Sequence, residues 1–199
     1  SSDAAAVLRG LDALAERPLG PSQLEALAAT LGSDTPFFVR GGTQLAAGRG
    51  ELLQRLPDAP PRWLVLVTPR LSVGKKTARL FGMLGAGHYA DGAATNRLAT
   101  VLADGGGVEP ELLFNTFDHV ADAAFPGLAA MRSVFVQECG HALLCGAGPA
   151  LFALAESEAA ATSAAARLRA SRLPALAVRT ASAAESTRTR RWPPRCDRP

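Results

Sequence analysis

Leu31-Gly32-Ser33-Asp34-Thr35-Pro36-Phe37-Phe38-Val39-Arg40-Gly41-Gly42 is the stretch of the chain that decides its fold. It places one acidic side chain, Asp34, between a glycine turn and an aromatic pair, Phe37 and Phe38, that we expect to be buried. An aspartate in this position is either the N-cap of a short turn or a general base, and the two roles are compatible. Held rigidly by its glycine and aromatic neighbours, Asp34 is a candidate catalytic carboxylate.

Two helices are expected before this stretch. Residues 2–16 place alanine and leucine at helical spacing, with Ser2 or Asp3 as the cap, and Ser22 begins a second helix that stops at the glycine turn. The start of the first helix offers the hydroxyls of Ser1 and Ser2 and free backbone N–H groups, which favour phosphate but are also typical of ordinary capping. No strand or loop precedes this helix, so we expect the chain to lack a front portion.

The rest of the chain predicts a hairpin followed by a second domain. Residues 43–47 and 51–56 flank a glycine-bearing turn, and the proline-rich segment 57–61 marks a boundary. The elements expected after it are a strand at 63–67, helices at 75–84, 93–102 and 115–137, strands at 142–144 and 151–154, a helix at 156–171 and a strand at 175–179. Within 115–137, Pro126 is expected to open a fresh helical segment. This order predicts an α+β fold with helices on one face of a mainly antiparallel sheet.

This pattern predicts a division of the chain into three parts. Residues 1–60 form the first domain, residues 61–183 form the second, and residues 184–199 form an Arg- and Pro-rich tail that we expect to be disordered. Within the second domain, the glycines of Cys145-Gly146-Ala147-Gly148-Pro149 would let the backbone approach a ligand closely, although a lone Gly-x-Gly is a weak signal.

The amino-acid composition of the chain argues against some classes of function, among them membrane-spanning and nucleic-acid-binding proteins. The 199 residues are 48% hydrophobic, enough for a sizeable core, and no apolar run is long enough to predict a membrane span, so the cytoplasm is the expected compartment. The net charge of +3 arises in the tail, so the folded body is near neutral and a nucleic-acid-binding face is not expected. Three cysteines and three histidines lack metal-binding spacing, so we expect buried, reduced thiols and structural histidines. A monomer or weak dimer is expected.

The serine pair, the Asp34 stretch and the Gly146 turn together resemble the GHMP superfamily of small-molecule kinases. In that family a loop reading like GLGGGSSDAA cradles the triphosphate, and residues 1–5 resemble its final half. Residues 31–42 resemble the family's LGSDVPFF-R-GGT signature, in which the aspartate is the catalytic base. The likeness continues through Asn115-x-Phe117-Asp118 and covers about residues 1–183. The chain departs from it at 145–149, where the family usually shows Ser-Gly-Ser-Gly-Pro, so two hydroxyls are lost.

The resemblance implies an enzyme that uses ATP and Mg²⁺, built from the tail of an N-terminal ATP-binding domain and a ferredoxin-like C-terminal domain. The residues it implies are Asp34 as catalytic base, Ser1, Ser2, Asp3, Gly146, Ala147 and Gly148 for the nucleotide, and Ser2 for the metal. The implied small-molecule substrate is a cytidylylated methylerythritol, phosphorylated on its 2-hydroxyl in the non-mevalonate route to isoprenoids. Because the family's catalytic lysine and most of its phosphate loop are absent, we expect the chain alone to be inactive.

Other interpretations remain open. The chain could be another GHMP kinase, of the homoserine or mevalonate type, or a non-catalytic fragment whose Arg-rich tail contacts nucleic acid or an anionic membrane. Lys75 and Lys76 match a family segment near the substrate, but a solvated helix start explains them equally well.

Overall fold

The computed structural model describes residues 1–188, and the chain divides near residue 60. One unit contains Ser1–Ala59 together with the chain from Ala181 onward, and the other contains Pro60–Thr180. Part of the predicted tail, 189–199, lies outside the described residues. The expectation of disorder from residue 184 is wrong at its start, because Ala183–Ser186 forms a helix whose first turn is capped by the Ser182 hydroxyl, with Glu185 completing the capping box.

The first unit is mostly helical. Its elements are α1 (Ser2–Leu14), α2 (Pro21–Leu31), α3 (Thr35–Arg40), the antiparallel strands β1 (Gln44–Ala47) and β2 (Leu52–Arg55), and the short C-terminal helix Ala183–Ser186. Its buried apolar core consists of Ala5, Leu24, Ala28 and Val39, with Leu8 packed against them. The predicted helices and hairpin are present, whereas α3 was not predicted.

Local sequence explains why α3 forms. Proline in its first turn supplies a backbone angle already suited to a helix start. Gly41, at φ 64°, ends the helix by donating its N–H to the Phe37 carbonyl oxygen at 2.8 Å. The Gln44 side-chain amide then donates to the carbonyl oxygens of Phe37 and Gly41, which satisfies the end of the helix.

The second unit combines five α-helices with one four-stranded sheet. Its elements are β3 (Trp63–Val67), α4 (Lys76–Met83), α5 (Ala93–Ala103), α6 (Asp118–Ala124), α7 (Leu128–Cys139), β4 (Leu143–Leu144), β5 (Leu151–Ala155), α8 (Glu158–Ala170) and β6 (Ala175–Arg179). The strand order is β4-β5-β3-β6, and every pair is antiparallel. Residues 115–137, predicted to be helical with a fresh segment beginning at Pro126, form α6 and most of α7. Helix α7 begins after Gly127, whose φ of 90° does not continue a helix.

Burial alternates along the central strand, β3. Val65 and Val67 point into the core, whereas Leu66 is only partly buried and pairs with Leu176, which is half exposed. The expectation of a strand buried on both faces is therefore wrong, because helices cover one face of this antiparallel sheet. The core on that face contains the largest fully buried side chains of the unit, Phe125, Phe135, Leu80, Leu128, Leu144, Leu151 and Leu168.

Candidate functional site

The turn between β4 and β5 is held by backbone and side-chain hydrogen bonds. The Gly148 N–H donates to the Cys145 carbonyl oxygen at 2.9 Å, and the Cys145 N–H donates to that of Ala150 at 2.8 Å. Gly146 and Gly148 have φ angles of 55° and 64°, which L side chains rarely adopt. A Cβ on Gly148 would also lie 2.7 Å from Leu144 Cδ1. Glycine is therefore required at this position both by its positive φ angle and by the clash that a side chain would cause.

Two side chains from distant parts of the chain hold this turn. Asn115 Nδ2 donates to the carbonyl oxygens of Leu144 and Gly146, both at 2.8 Å. Lys76 Nζ donates to the Gly148 carbonyl oxygen at 2.6 Å. The start of α4 is therefore engaged with the turn, and the expectation of a solvated helix start holds for the exposed Lys75 but not for Lys76.

A charged network supports the same turn from α6 and α7. Asp118 Oδ2 accepts the Leu144 N–H at 3.2 Å, and its other oxygen pairs with Arg132 Nη1 at 2.9 Å. Arg132 also contacts Asp122, with Nε 3.0 Å from Oδ1. Asn115 and Asp118, which belong to the Asn115-x-Phe117-Asp118 motif, thus hold the turn between β4 and β5 in position.

The turn leaves hydrogen-bond donors unused. Across the described part of the chain, the N–H groups of Gly146 and Ala147 have no hydrogen-bond partner, and Gly146 is exposed. Adjacent unpaired N–H groups in a glycine turn form a concave site with positive potential, which suits an anion such as a phosphate. This arrangement fits the phosphate chain of a nucleotide. It does not require the two hydroxyls that the sequence lacks at positions 145 and 147.

An aromatic cavity of about 450 Å³ lies beside this turn, since Asn115 lines it as well as bracing the loop. Phe81, Tyr89 and Phe114 are exposed to it, and Phe81 packs edge-on against Phe117 with ring centroids 4.9 Å apart. A cavity walled by aromatic rings with an amide at its edge suits a planar ring system. Sequence analysis missed it, because its walls come from three separate segments.

Asp34 lies at the start of α3 in the first unit. It occupies the N-cap position, but its side chain makes no capping hydrogen bond, and the carboxylate is exposed. Gly50, at φ 111°, approaches it so closely that a Cβ there would be 3.0 Å from Asp34 Oδ1. The expected buried aromatic pair is wrong, because Phe37 is partly buried and Phe38 is 37% exposed. The Asp34 carboxylate is therefore exposed at the start of α3 and lies close to Gly50.

Ser1, Ser2 and Asp3 are exposed at the start of α1. The N-cap is Ser1 rather than the expected Ser2 or Asp3, and its hydroxyl makes no capping bond, so the first-turn N–H groups are open to an anion. Ser2 also lines a cavity of about 210 Å³ with Arg9, whose guanidinium donates to the Phe38 carbonyl oxygen. Asp34 does not line this cavity.

Thiols and imidazoles take structural positions. Cys139 is partly buried and Cys145 is exposed, so the expectation of buried thiols is wrong for the second; Cys196 lies outside the described residues. His141 Nε2 accepts the Leu154 N–H at 2.9 Å. His88 and His119 stack with ring centroids 5.3 Å apart. Residues 1–188 contain no group of three His, Cys, Asp or Glu side chains placed to hold a metal ion.

Comparison with known proteins gives the family. Residues 93–174, which include α5 to α8 and the braced turn, match the family described as GHMP kinases C terminal. The chain contains a GHMP kinase C-terminal domain within its second unit. The resemblance stated from the sequence is confirmed, and so is the mixed helix-and-sheet fold. No helix within the described range is long and apolar enough to cross a membrane.

Two curated relatives of the chain carry the same name. The chain is 37% identical over 185 residues to a 4-diphosphocytidyl-2-C-methyl-D-erythritol kinase of Heliobacterium modesticaldum, covering 84% of the chain and 58% of the relative. It is 38% identical over 156 residues to the protein of the same name from Dehalococcoides mccartyi, covering 77% and 55%. The chain thus spans less than two thirds of the length of these relatives and matches their C-terminal part.

Solved structures agree with this assignment. A crystal structure of 4-(cytidine 5'-diphospho)-2C-methyl-D-erythritol kinase matches with a TM-score of 0.73 and 34% identity, over 89% of this chain and 63% of the other. A homoserine kinase from Cytophaga hutchinsonii matches with a TM-score of 0.64 over 86% and 61%. At 16% identity, the second match shows a shared fold and nothing about substrate.

Proposed function

We propose that this chain is the C-terminal part of a kinase that transfers the γ-phosphoryl group of ATP to the 2-hydroxyl of 4-diphosphocytidyl-2-C-methyl-D-erythritol. The observation that carries the proposal is the pair of unpaired N–H groups at Gly146 and Ala147, on a turn braced by Lys76 and Asn115. Relatives at 37% and 38% identity bear the name of this kinase. Residues 1–60 would correspond to the end of its ATP-binding domain.

Asp34 is the proposed general base. Phosphoryl transfer requires alignment and charge neutralisation more than covalent chemistry from the protein. An exposed carboxylate with no capping bond can accept the proton of a substrate hydroxyl at one of its oxygens. Gly50 leaves the space beside Oδ1 open, since any larger residue there would bring a Cβ within 3.0 Å of that oxygen.

The nucleotide is proposed to contact Ser1, Ser2 and Asp3 at the start of α1, and Gly146, Ala147 and Gly148 at the turn. Both places present unpaired backbone N–H groups, which fit phosphate oxygens. ATP supplies the transferred phosphoryl group when it is bound. Mg²⁺ usually keeps few protein ligands and shares the phosphates, so the exposed hydroxyl of Ser2 fits the role of metal ligand proposed for it.

The aromatic cavity is proposed to hold the cytidyl ring of the substrate. Phe81, Tyr89 and Phe114 offer ring faces or edges to a planar base, and Asn115 offers an amide at the rim. Binding of CDP should weaken about tenfold or more when Phe114 is replaced by alanine, while the affinity for ATP should stay within twofold. The opposite result would assign the cavity to adenine. A cytoplasmic monomer or weak dimer remains a prediction.

The activity test requires the portion of the relatives that the chain does not span. We would fuse the N-terminal part of the Heliobacterium modesticaldum kinase, up to its matched region, to the 199-residue chain. ADP release with ATP, Mg²⁺ and 4-diphosphocytidyl-2-C-methyl-D-erythritol would be compared for the chain, the fusion, and the fusion carrying Asp34→Asn. We expect activity in the fusion only, reduced about 10²- to 10⁴-fold by the substitution.

A matched control separates catalysis from general damage. Glu16→Gln also removes one exposed acidic charge from the first unit and should leave the rate within twofold. A folded fusion that phosphorylates homoserine instead would replace the proposed substrate. A folded fusion inactive on both would overturn the kinase assignment for this chain.

A further inference from the structure

A cavity of about 410 Å³ lies in the second unit, where β3 ends and β6 begins. Its lining includes three arginines, Arg70, Arg169 and Arg172, and the apolar side chains of Met131 and Leu173. None of its lining residues belongs to the turn between β4 and β5, and none lines the aromatic cavity. It is therefore a separate place on the unit, which we call the arginine cavity.

The positive charge of the arginine cavity is not balanced by acidic neighbours. Its lining contains no aspartate or glutamate, and none of its three arginines forms an ion pair within residues 1–188. Arg169 Nη1 donates to the Ala175 carbonyl oxygen at 2.9 Å, which holds this side chain at the start of β6. The side chains of Arg70 and Arg172 have no hydrogen-bond partner in the same range. Three like charges at one cavity repel each other, and a bound anion would remove that repulsion.

Arg172 is held in a backbone conformation that arginine rarely adopts, with φ 64°. It follows Ser171, the C-cap of α8, and its N–H donates to the Arg169 carbonyl oxygen at 2.9 Å. The Leu173 N–H donates to the Leu168 carbonyl oxygen at 2.9 Å, which completes a Schellman motif. Glycine is the usual residue at this position of the motif. Arginine at position 172 thus lowers stability while keeping a guanidinium group at the cavity.

The apolar part of the lining is firmly packed. Leu173 is 7% exposed and belongs to the core of the second unit, and Met131 packs against that core. Pro69, which also lines the cavity, is buried. Packed apolar side chains beside guanidinium groups suit a ligand that joins an anionic group to a compact apolar one.

We infer that the arginine cavity binds a small phosphorylated molecule, with its phosphate or diphosphate group on the guanidinium groups and its apolar part against Met131 and Leu173. Guanidinium groups bind phosphate oxygens in pairs through parallel N–H donors. The other charged side chains between residues 60 and 180 are eight basic and nine acidic ones. The rest of the unit therefore has no excess of positive charge for a nucleic acid or an anionic membrane. The inference does not depend on the proposed kinase reaction.

The two methionines of the chain provide the test. Met131 lines the arginine cavity, whereas Met83 does not. In the 199-residue chain labelled with carbon-13 on its methionine methyl groups, inorganic diphosphate should shift the Met131 signal until it saturates and leave the Met83 signal unchanged. Phenyl phosphate should bind at least about threefold more tightly than inorganic phosphate, because its ring gains apolar contact at equal charge.

Substitutions assign the binding to particular arginines. Arg70→Ala and Arg172→Gly should each weaken diphosphate binding about tenfold or more, since each removes a charged donor. The matched control is Arg97→Ala on α5, an exposed arginine outside the cavity, which should change the affinity less than about twofold. Because glycine accepts a φ of 64°, Arg172→Gly should also raise the melting temperature by about 2–5 °C. Weaker binding in a more stable variant excludes unfolding as its cause.

Three outcomes would overturn the inference. A Met131 signal that does not move at millimolar diphosphate would show that the cavity binds no anion. Equal weakening by Arg97→Ala and Arg70→Ala would indicate general attraction to a positive surface. A shift of the Met131 signal by a short RNA, or binding of the chain to phosphatidylserine vesicles that Arg70→Ala abolishes, with no response to phenyl phosphate, would replace the small molecule by a macromolecular surface.

Discussion

Lys76 and Gly148 are joined by a hydrogen bond of 2.6 Å from the ammonium group to the carbonyl oxygen, across 72 positions of the chain. This bond connects the start of α4 to the turn between β4 and β5. It engages the Gly148 carbonyl oxygen, whereas the N–H groups of Gly146 and Ala147 have no partner within residues 1–188.

Replacing Lys76 by methionine should lower the free energy of unfolding by about 1.5–3 kcal/mol, since a hydrogen bond from a charged group is lost. Lys75→Met is the matched control, because its side chain is exposed and the change should have an effect below about 0.5 kcal/mol. Urea unfolding of the 199-residue chain measures both. Equal destabilisation by the two variants would show that the bond contributes nothing specific.

Asn115→Asp should destabilise the fold more than Asn115→Ala. Asn115→Ala leaves the carbonyl oxygens of Leu144 and Gly146 without a donor, at a cost of about 1–3 kcal/mol. Asn115→Asp places a carboxylate 2.8 Å from the same oxygens, which adds repulsion to the loss. The exposed Asn96 on α5 provides the control, and Asn96→Asp should be nearly neutral. A milder effect of aspartate than of alanine at position 115 would contradict the assigned contacts.

Three glycine-to-alanine changes distinguish the cost of an unfavourable φ angle from the cost of a steric clash. Gly87 has neither a positive φ nor a neighbour within 4 Å, so Gly87→Ala should be neutral or slightly stabilising. Gly127 has φ 90° and open space, so its change should cost about 1 kcal/mol. Gly148 combines φ 64° with a distance of 2.7 Å from an introduced Cβ to Leu144. Gly148→Ala should therefore cost about 1–3 kcal/mol more than Gly127→Ala. Thermal unfolding should give this order, and a different order would reject the packing described for the turn.

Cys139 and Cys145 should differ in reactivity. Burial, followed by the charge of Glu138, raises the pKa of the Cys139 thiol, so little thiolate forms near pH 8, whereas Cys145 is exposed. In a Cys196→Ser background, iodoacetamide should modify Cys145 at least about tenfold faster, as followed by mass spectrometry of the peptides. Faster modification of Cys139 would place it at the surface.

The raised pKa of the Cys139 thiol also predicts that the stability of the fold depends on pH. Because the folded-state pKa of Cys139 lies above its unfolded value, the neutral thiol stabilises the fold below the unfolded pKa of about 8.5. That contribution is lost as the pH rises through the higher folded-state pKa. Stability should therefore fall more steeply above pH 8.5 in the parent chain than in Cys139→Ala, and parallel pH profiles would contradict the assignment.

Sequence patterns predicted the regular elements well. Strands β3, β5 and β6 are short apolar runs bounded by proline, glycine or charged residues, and these signals are local. The helix α3 was missed because six residues are too few for a periodic pattern. The exposure of Phe38 could not be predicted, since apolar character does not say which partner is present to cover a side chain.

The site was only partly predictable for a related reason. Asp34 and the Gly146 turn were identified through motifs, and a motif is contiguous in sequence. The bracing of that turn by Lys76 and Asn115 depends on contacts between segments 72 and 31 positions apart, which no local pattern encodes. Their role became visible only when the turn and its neighbours were placed in space.

The position of β3 in the sheet sets an order for the folding of the second unit. This strand is made first, yet both of its neighbours, β5 and β6, follow about 90 and 110 residues later. Closing the first of these loops costs roughly 4 kcal/mol of chain entropy before any pairing offsets it. During synthesis, one edge of this apolar strand stays open until the chain has reached Ala155 and the other until Arg179, so the unit depends on slow, late assembly rather than on growth from its first residues.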